Sequence, residues 1–179
     1  MDRDELDAHL DRVLVGGRER RRIALEAHRP EWAARFEAER RTIVAALGDA
    51  ARAVEHVGST AVSGLAAKPI VDILVTASDP EDPALRSALE RAGYALRVDE
   101  PGHRMFRTPA RDVHVHVWPA GGPEAGRYLA FRDRLRASEA DRLVYERRKR
   151  ELAGRDWDDM NHYAAAKGDV IEAILARGG

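Results

Sequence analysis

The stretch Val54 to Val75, VEHVGSTAVSGLAAKPIVDILV, narrows the fold of this chain more than any other. Two apolar runs flank a bend of small and hydroxylated residues. They read as a short strand at 54–57 and a longer, more buried strand at 69–75. Asp72 interrupts the second run. A carboxylate left unpaired in such a strand costs on the order of several kcal/mol. Asp72 must therefore be ion-paired, bound to a metal, or open to a cleft.

The rest of the pattern supplies a sheet and its cover. Leu6, Leu10, Val13 and Leu14 recur at helical spacing before Gly16-Gly17, predicting a short amphipathic helix within an extension over residues 1–20. Residues 22–28 alternate weakly and read as a strand. Pro30 opens a helix whose Trp32, Phe36, Ile43 and Leu47 share one face, and Gly48 closes it. A further helix begins at Pro83 and stops at Gly93. Strands are predicted at 94–98, 104–107 and 113–118, followed by helices at 124–137, 139–153 and 159–176. The expected architecture is an α/β (α+β) domain over residues 21–179: a mixed sheet of about five strands, flanked by helices, with a helical C-terminal third.

Composition excludes several function classes. With 179 residues, 44% hydrophobic and 34% charged, the chain suits one globular domain. Its formal net charge of −1 gives no global attraction to nucleic acid or anionic lipid. The absence of cysteine excludes thiolate metal sites and a cysteine nucleophile. No signal-peptide pattern or membrane-length apolar run is present, so a soluble, cytoplasmic protein is expected. The only lysines are Lys68, Lys149 and Lys167, against a large excess of arginine, and their rarity makes them informative.

Three motifs compete for the bend at 58–68. A P-loop needs Lys-Ser/Thr directly after its last glycine, but Leu65 follows Gly64. A nucleophile elbow needs glycine where Ala61 stands. A strand ending in Gly58-Ser59, with Asp72 opening a strand soon after, fits a third arrangement. Gly58 lets backbone approach a phosphate, the hydroxyls of Ser59 and Thr60 donate to it, and Lys68 adds a mobile charge.

The segment EHVGSTAVSGLAAKPIVDILV resembles the core motif of the GrpB family, assigned to the nucleotidyltransferase superfamily. PEW, HRMFR, VHVHVW, AFRDRLRAS and YAAAK follow in that family's order, so the resemblance spans roughly residues 23–174. It implies a nucleotidyltransferase-like fold that binds a nucleotide or other phosphorylated small molecule with a divalent metal (magnesium, manganese or zinc), and a transferase if active. Members also resemble a domain fused behind dephospho-CoA kinase, which implies an accessory binding module as an alternative, alongside metal-dependent ligation or hydrolysis. Two departures stand out. Position 74, where a second carboxylate would share the face of Asp72, is Leu74, and Ser63 replaces a usual proline. Only Asp112 is available as a third carboxylate.

His114 and His116 alternate with Val113, Val115 and Val117, so both imidazoles leave one strand face, ~7 Å apart along the backbone. If the strand of Asp72 lies alongside, the three form a candidate catalytic and metal-binding set, better suited to a borderline transition metal than to magnesium. Arg104, on the same strand face as Phe106, is the further anion-binding candidate, while Arg107 takes the other face. Tyr145/Lys149 and Tyr163/Lys167 each lie one helical turn apart; either pair could line a cleft, and each alone reads as surface. Oligomeric state is left open.

Overall fold

A computed structural model describes residues 2–20 and 22–177; Met1, Arg21, Gly178 and Gly179 lie outside the described residues, including the expected domain limits at 1, 21 and 179. The chain opens with α1 (Arg3–Val13), whose first turn is closed by a reciprocal pair of bonds between Asp2 and Glu5, each 2.9 Å. Residues 22–28 do not form the expected strand. They make one antiparallel bridge, Glu26 to Ala67, with bonds of 2.8 and 2.9 Å. Extending that pairing would call on Pro69, which has no N–H to give.

After α2 (Glu31–Leu47) come β1 (Ala51–Val57), β2 (Val71–Ala77), α3 (Pro83–Arg91), β3 (Ala95–Glu100), β4 (His103–Arg107) and β5 (Val113–Pro119). The C-terminal part is α4 (Pro123–Ala137), α5 (Glu139–Ala153), α6 (Met160–Ala165) and α7 (Gly168–Leu175). The single helix expected over 159–176 is thus two. The chain breaks at Lys167 and resumes at Gly168, a poor helix former placed at the junction.

The five strands lie in the order β1-β2-β5-β4-β3. The central pair, β2 and β5, is parallel, and the remaining pairs are antiparallel. This is the mixed, helix-flanked sheet with a helical C-terminal third that the pattern predicted.

Strand alternation splits the sheet into two unlike faces. Val71, Ile73 and Val75 of β2, with Val113, Val115 and Val117 of β5 and Phe106 of β4, pack against Trp32, Phe36, Ile43, Leu85 and Leu89. Fully burying one such aliphatic side chain contributes about 1.5–3 kcal/mol. The other face carries Asp72, His114, His116 and Trp118, and α4 covers part of it. Leu74 lies there without exposure, among Val57, Ala125, Trp118 and Tyr128. The bend before β2 is anchored separately: Val62 and Leu65 are buried against Leu135, Tyr145 and Ile174 of the C-terminal helices.

Leu74→Asp would place a second carboxylate on the face of Asp72, but inside this apolar cluster. We expect a loss of about 3–5 kcal/mol in denaturant unfolding, the cost of an uncompensated buried charge, while Leu74→Met stays within about 1.5 kcal/mol.

Candidate functional site

The parallel register of β2 and β5 puts Asp72 directly opposite His114, with His116 two residues farther along the same face. Both rings turn toward one carboxylate oxygen. His114 Nδ1 lies 3.5 Å and His116 Nε2 3.8 Å from Asp72 Oδ1, and the three donor atoms lie within 4.8 Å of one another. All three side chains are half-buried. Burial opposes ionisation of Asp72, but the two imidazoles outweigh it and hold the carboxyl well below the usual carboxylate range.

His116 is oriented from behind. Its Nδ1 lies 3.3 Å from His103 Nε2, and His103 Nδ1 lies 2.6 Å from Glu100 Oε1. His103 is stacked on Trp118 at 4.0 Å. Burial, then the neighbouring His116, push it down to about 4 against the pull of Glu100, so it is neutral near pH 7. His103 and Glu100 thus form a polar chain behind His116 that holds its ring with Nε2 turned toward Asp72. This is how metal-binding histidines are held by their outer partners.

The bend meets the carboxylate at Gly58. Its φ of 70° lies in the left-handed region, and a β-carbon there would fall 2.5 Å from Asp72 Oδ2. Ser59 follows in a short 3₁₀ turn, and its Oγ accepts a 3.2 Å hydrogen bond from Lys149 Nζ.

Two expected anion contacts fall elsewhere. Thr60 is buried with its hydroxyl 3.0 Å from His56 Nε2, and His56 stacks on Phe36, so that pair packs beneath the bend. Burial pushes His56 down to about 4 despite the nearby Asp72. Arg104 pairs in register with core-facing Val117, which puts it on the opposite side of the sheet; it bonds Asp99 at 3.0 Å. Sheet parity gives the site face to Met105 and Arg107 instead. Asp112 bonds Thr108 at 2.7 Å and supplies no third carboxylate to the cluster.

The triad and Gly58-Ser59 open into a cavity of about 480 Å³ between the sheet and the C-terminal helices, within the size range of small-molecule sites. Lys68, Lys149 and Lys167 all line it. Lys149 is 2% exposed; it donates to the Ala66 carbonyl and to Ser59, and lies 4.9 Å from the Tyr145 ring centre. Lys68 and Lys167 lie 5.1 and 4.8 Å from the Tyr163 ring centre. Burial, then the charge of Lys167, lower Lys149 to about 7. Burial also lowers Lys167, against the pull of Asp72. The Tyr163 hydroxyl is buried without a hydrogen-bond partner. Both tyrosine–lysine pairs therefore face the cavity, where sequence reading allowed that one pair could line a cleft but read each alone as surface. The signal available was a Tyr-x-x-x-Lys spacing used twice by a chain with so few lysines.

The far end is closed by the segment after α1. Val15 N bonds the Arg97 carbonyl at 2.9 Å, and Met160 N bonds the Glu19 carbonyl at 3.3 Å. The Glu19 carboxylate accepts from both terminal nitrogens of Arg107, at 2.9 and 2.7 Å, and from Arg111 at 3.2 Å. Those Arg107 hydrogen bonds bring it down to about 2. Leu14 and Glu19 thereby form cavity wall.

Residues 22–177 match the family described as GrpB protein. The chain is 52% identical to a UPF0157 protein of Streptomyces coelicolor, over 93% of this chain and 89% of that one. It is 44% identical to a UPF0157 protein of Halalkalibacterium halodurans, over 87% and 82%. It is also similar to the crystal structure of conserved protein GrpB from Enterococcus faecalis, with a TM-score of 0.75, 32% identity, and coverage of 86% and 98%.

Gly58→Ala should cost more stability than Gly64→Ala. Both glycines have positive φ, 70° and 76°, but only the first meets a neighbour. Denaturant unfolding should show about 1 kcal/mol lost at Gly64, the usual strain of a side chain in this region, and at least about 2 kcal/mol at Gly58, where steric overlap adds to it. Equal losses at the two sites would remove the close approach to Asp72 from the account.

Proposed function

The chain belongs to the GrpB family, and from that premise we propose that its cavity binds a phosphorylated small molecule, of the nucleotide class, beside one divalent metal ion. The observation that carries this is the convergence of Asp72, His114 and His116 at the mouth of a lysine-lined cavity. Two imidazoles and one carboxylate favour zinc or manganese over magnesium, which prefers all-oxygen ligands. His114 and His116 turn one ring nitrogen each toward the same Asp72 oxygen, an arrangement that suits such an ion.

Each residue then has a role. Asp72, His114 and His116 hold the ion, which supplies Lewis-acid polarisation of a phosphoryl oxygen when bound. Gly58 lets backbone close on the ligand; Ser59 and Lys68 take its phosphate oxygens. His103 and Glu100 fix the ring of His116. Helices α4 to α7 cover the cavity, which strengthens every charge interaction within it. We read the sheet as nucleotidyltransferase-like, with nucleotidyl transfer as one reaction this arrangement could support. Arg104 and Thr60 have no part in it, since neither lines the cavity.

Leu74 favours a second reading. Its burial leaves no seat for the second carboxylate of a two-metal transferase. A single-metal site could serve ligation or hydrolysis, or bind a nucleotide as an accessory module without turnover.

Tag-free protein stripped of metal and then given zinc, manganese or magnesium, with and without nucleotides, tests this. An ion at 100 times its Kd should stabilise the fold by about 2.7 kcal/mol. We expect zinc or manganese to do so, Asp72→Asn and His116→Gln to abolish the effect, and nucleotides to add to it. No response to any transition metal would overturn the metal assignment. Metal-dependent nucleotide turnover lost in folded Asp72→Asn would favour the enzyme; nucleotide binding without turnover would favour the accessory module.

A further inference from the structure

The lysine end of the cavity has a property that metal binding does not explain. Lys149 is almost wholly buried, yet its hydrogen-bond partners are a backbone carbonyl and a hydroxyl, and among the described residues no carboxylate oxygen lies within 4 Å of it. The charged groups facing it are Lys167 from the α6–α7 junction, Lys68 from the bend, and Glu146 and Arg150 on its own helix. The cations outnumber the single acid. Glu146 is also engaged, accepting from Ala66 N at 3.0 Å and from Arg150 at 2.7 Å. A buried ammonium in such company is costly until an anion joins it.

We propose that Lys149, Lys68, Lys167 and the Ser59 hydroxyl form an anion subsite for a dianionic phosphoryl group, and that filling it draws a proton onto Lys149. This rests on the cavity being a ligand site, but not on the metal. The donor inventory selects the ligand class. The ammonium groups of buried Lys149 and half-buried Lys167, with the Ser59 hydroxyl beside them, call for two negative charges on one ligand group, which a phosphoryl group carries and a carboxylate does not. The tyrosine rings beneath the amines disfavour water and keep the cations close to the cavity.

The sign of the pH dependence follows. Burial and the neighbouring Lys167 ammonium lower Lys149 to about 7, so on this proposal binding above that pH also takes up a proton. Affinity is then greatest below pH 7 and falls about tenfold per unit above it, the slope of one linked proton.

Sulfate is the probe, because it stays dianionic throughout and exchanges no protons itself. Its affinity for metal-free protein is measured at pH 6 to 9 and constant ionic strength, with acetate in parallel. We expect the tenfold slope, acetate at least tenfold weaker, and at least tenfold loss in Lys149→Met. Lys149→Arg, charged at every pH, should keep binding and flatten the slope. The His114→Gln/His116→Gln double variant should keep both binding and slope. A flat wild-type profile, acetate equal to sulfate, unchanged affinity in Lys149→Met, or binding lost only with the histidines would each overturn the proposal. Should Lys149→Met not fold, the wild-type slope and Lys167→Met decide it. A normal sulfate profile in a protein that ignores zinc and manganese would sink the metal assignment and leave this subsite standing.

Discussion

The parallel pairing of β2 with β5 is the constraint on which the rest of the structure depends. It sets Asp72 level with His114 and makes every second residue of both strands face the same way. A slip of one residue in β5 would send both imidazoles into the apolar face and bring valines to the carboxylate. The register is held by the opposite side of the sheet, where Ile73, Val75, Val115 and Val117 are buried against α2 and α3. The geometry of the polar cluster is thus secured by hydrophobic packing that never touches it.

Two kinds of polar environment meet in the cavity. Around Asp72 the arrangement is built on a carboxylate and two imidazoles, with the Glu100–His103 pair behind one of them. Around Lys149 it is cationic and rich in donors. A ligand that carries a metal-binding oxygen and a phosphoryl group at separate positions would satisfy both. Under the proposed function, selection among small molecules would follow from this distribution of charge before any shape is considered.

The chain revealed its site unevenly. Asp72, His114 and His116 were legible because strand periodicity is local: a polar residue in an apolar run, or alternating with valine, states its face. The sharp bend after β1 was legible through Gly58 and Ser59. What escaped depended on parity or on distant packing. Arg104 and Arg107 were assigned to opposite faces, but which face met the cavity was fixed only by their register against β5. Thr60 shared the composition of the bend, yet the 3₁₀ turn directs it to His56. Lys149 on α5 and Lys167 at the α6–α7 junction are brought to the cavity by tertiary contacts, which their spacing from a tyrosine hinted at but could not fix. Glu19 was hidden in the same way, lying in an extension with no motif of its own and tied down by Arg107.

The close approach at Gly58 has an evolutionary consequence. Because a β-carbon there would overlap the Asp72 carboxylate, the two positions form a single epistatic unit. A side chain at 58 strains the fold while the acid is present, and shortening or losing the acid relieves that strain. Losing the aspartate would therefore free position 58 to carry a side chain, and a side chain there would in turn make the aspartate costly to regain.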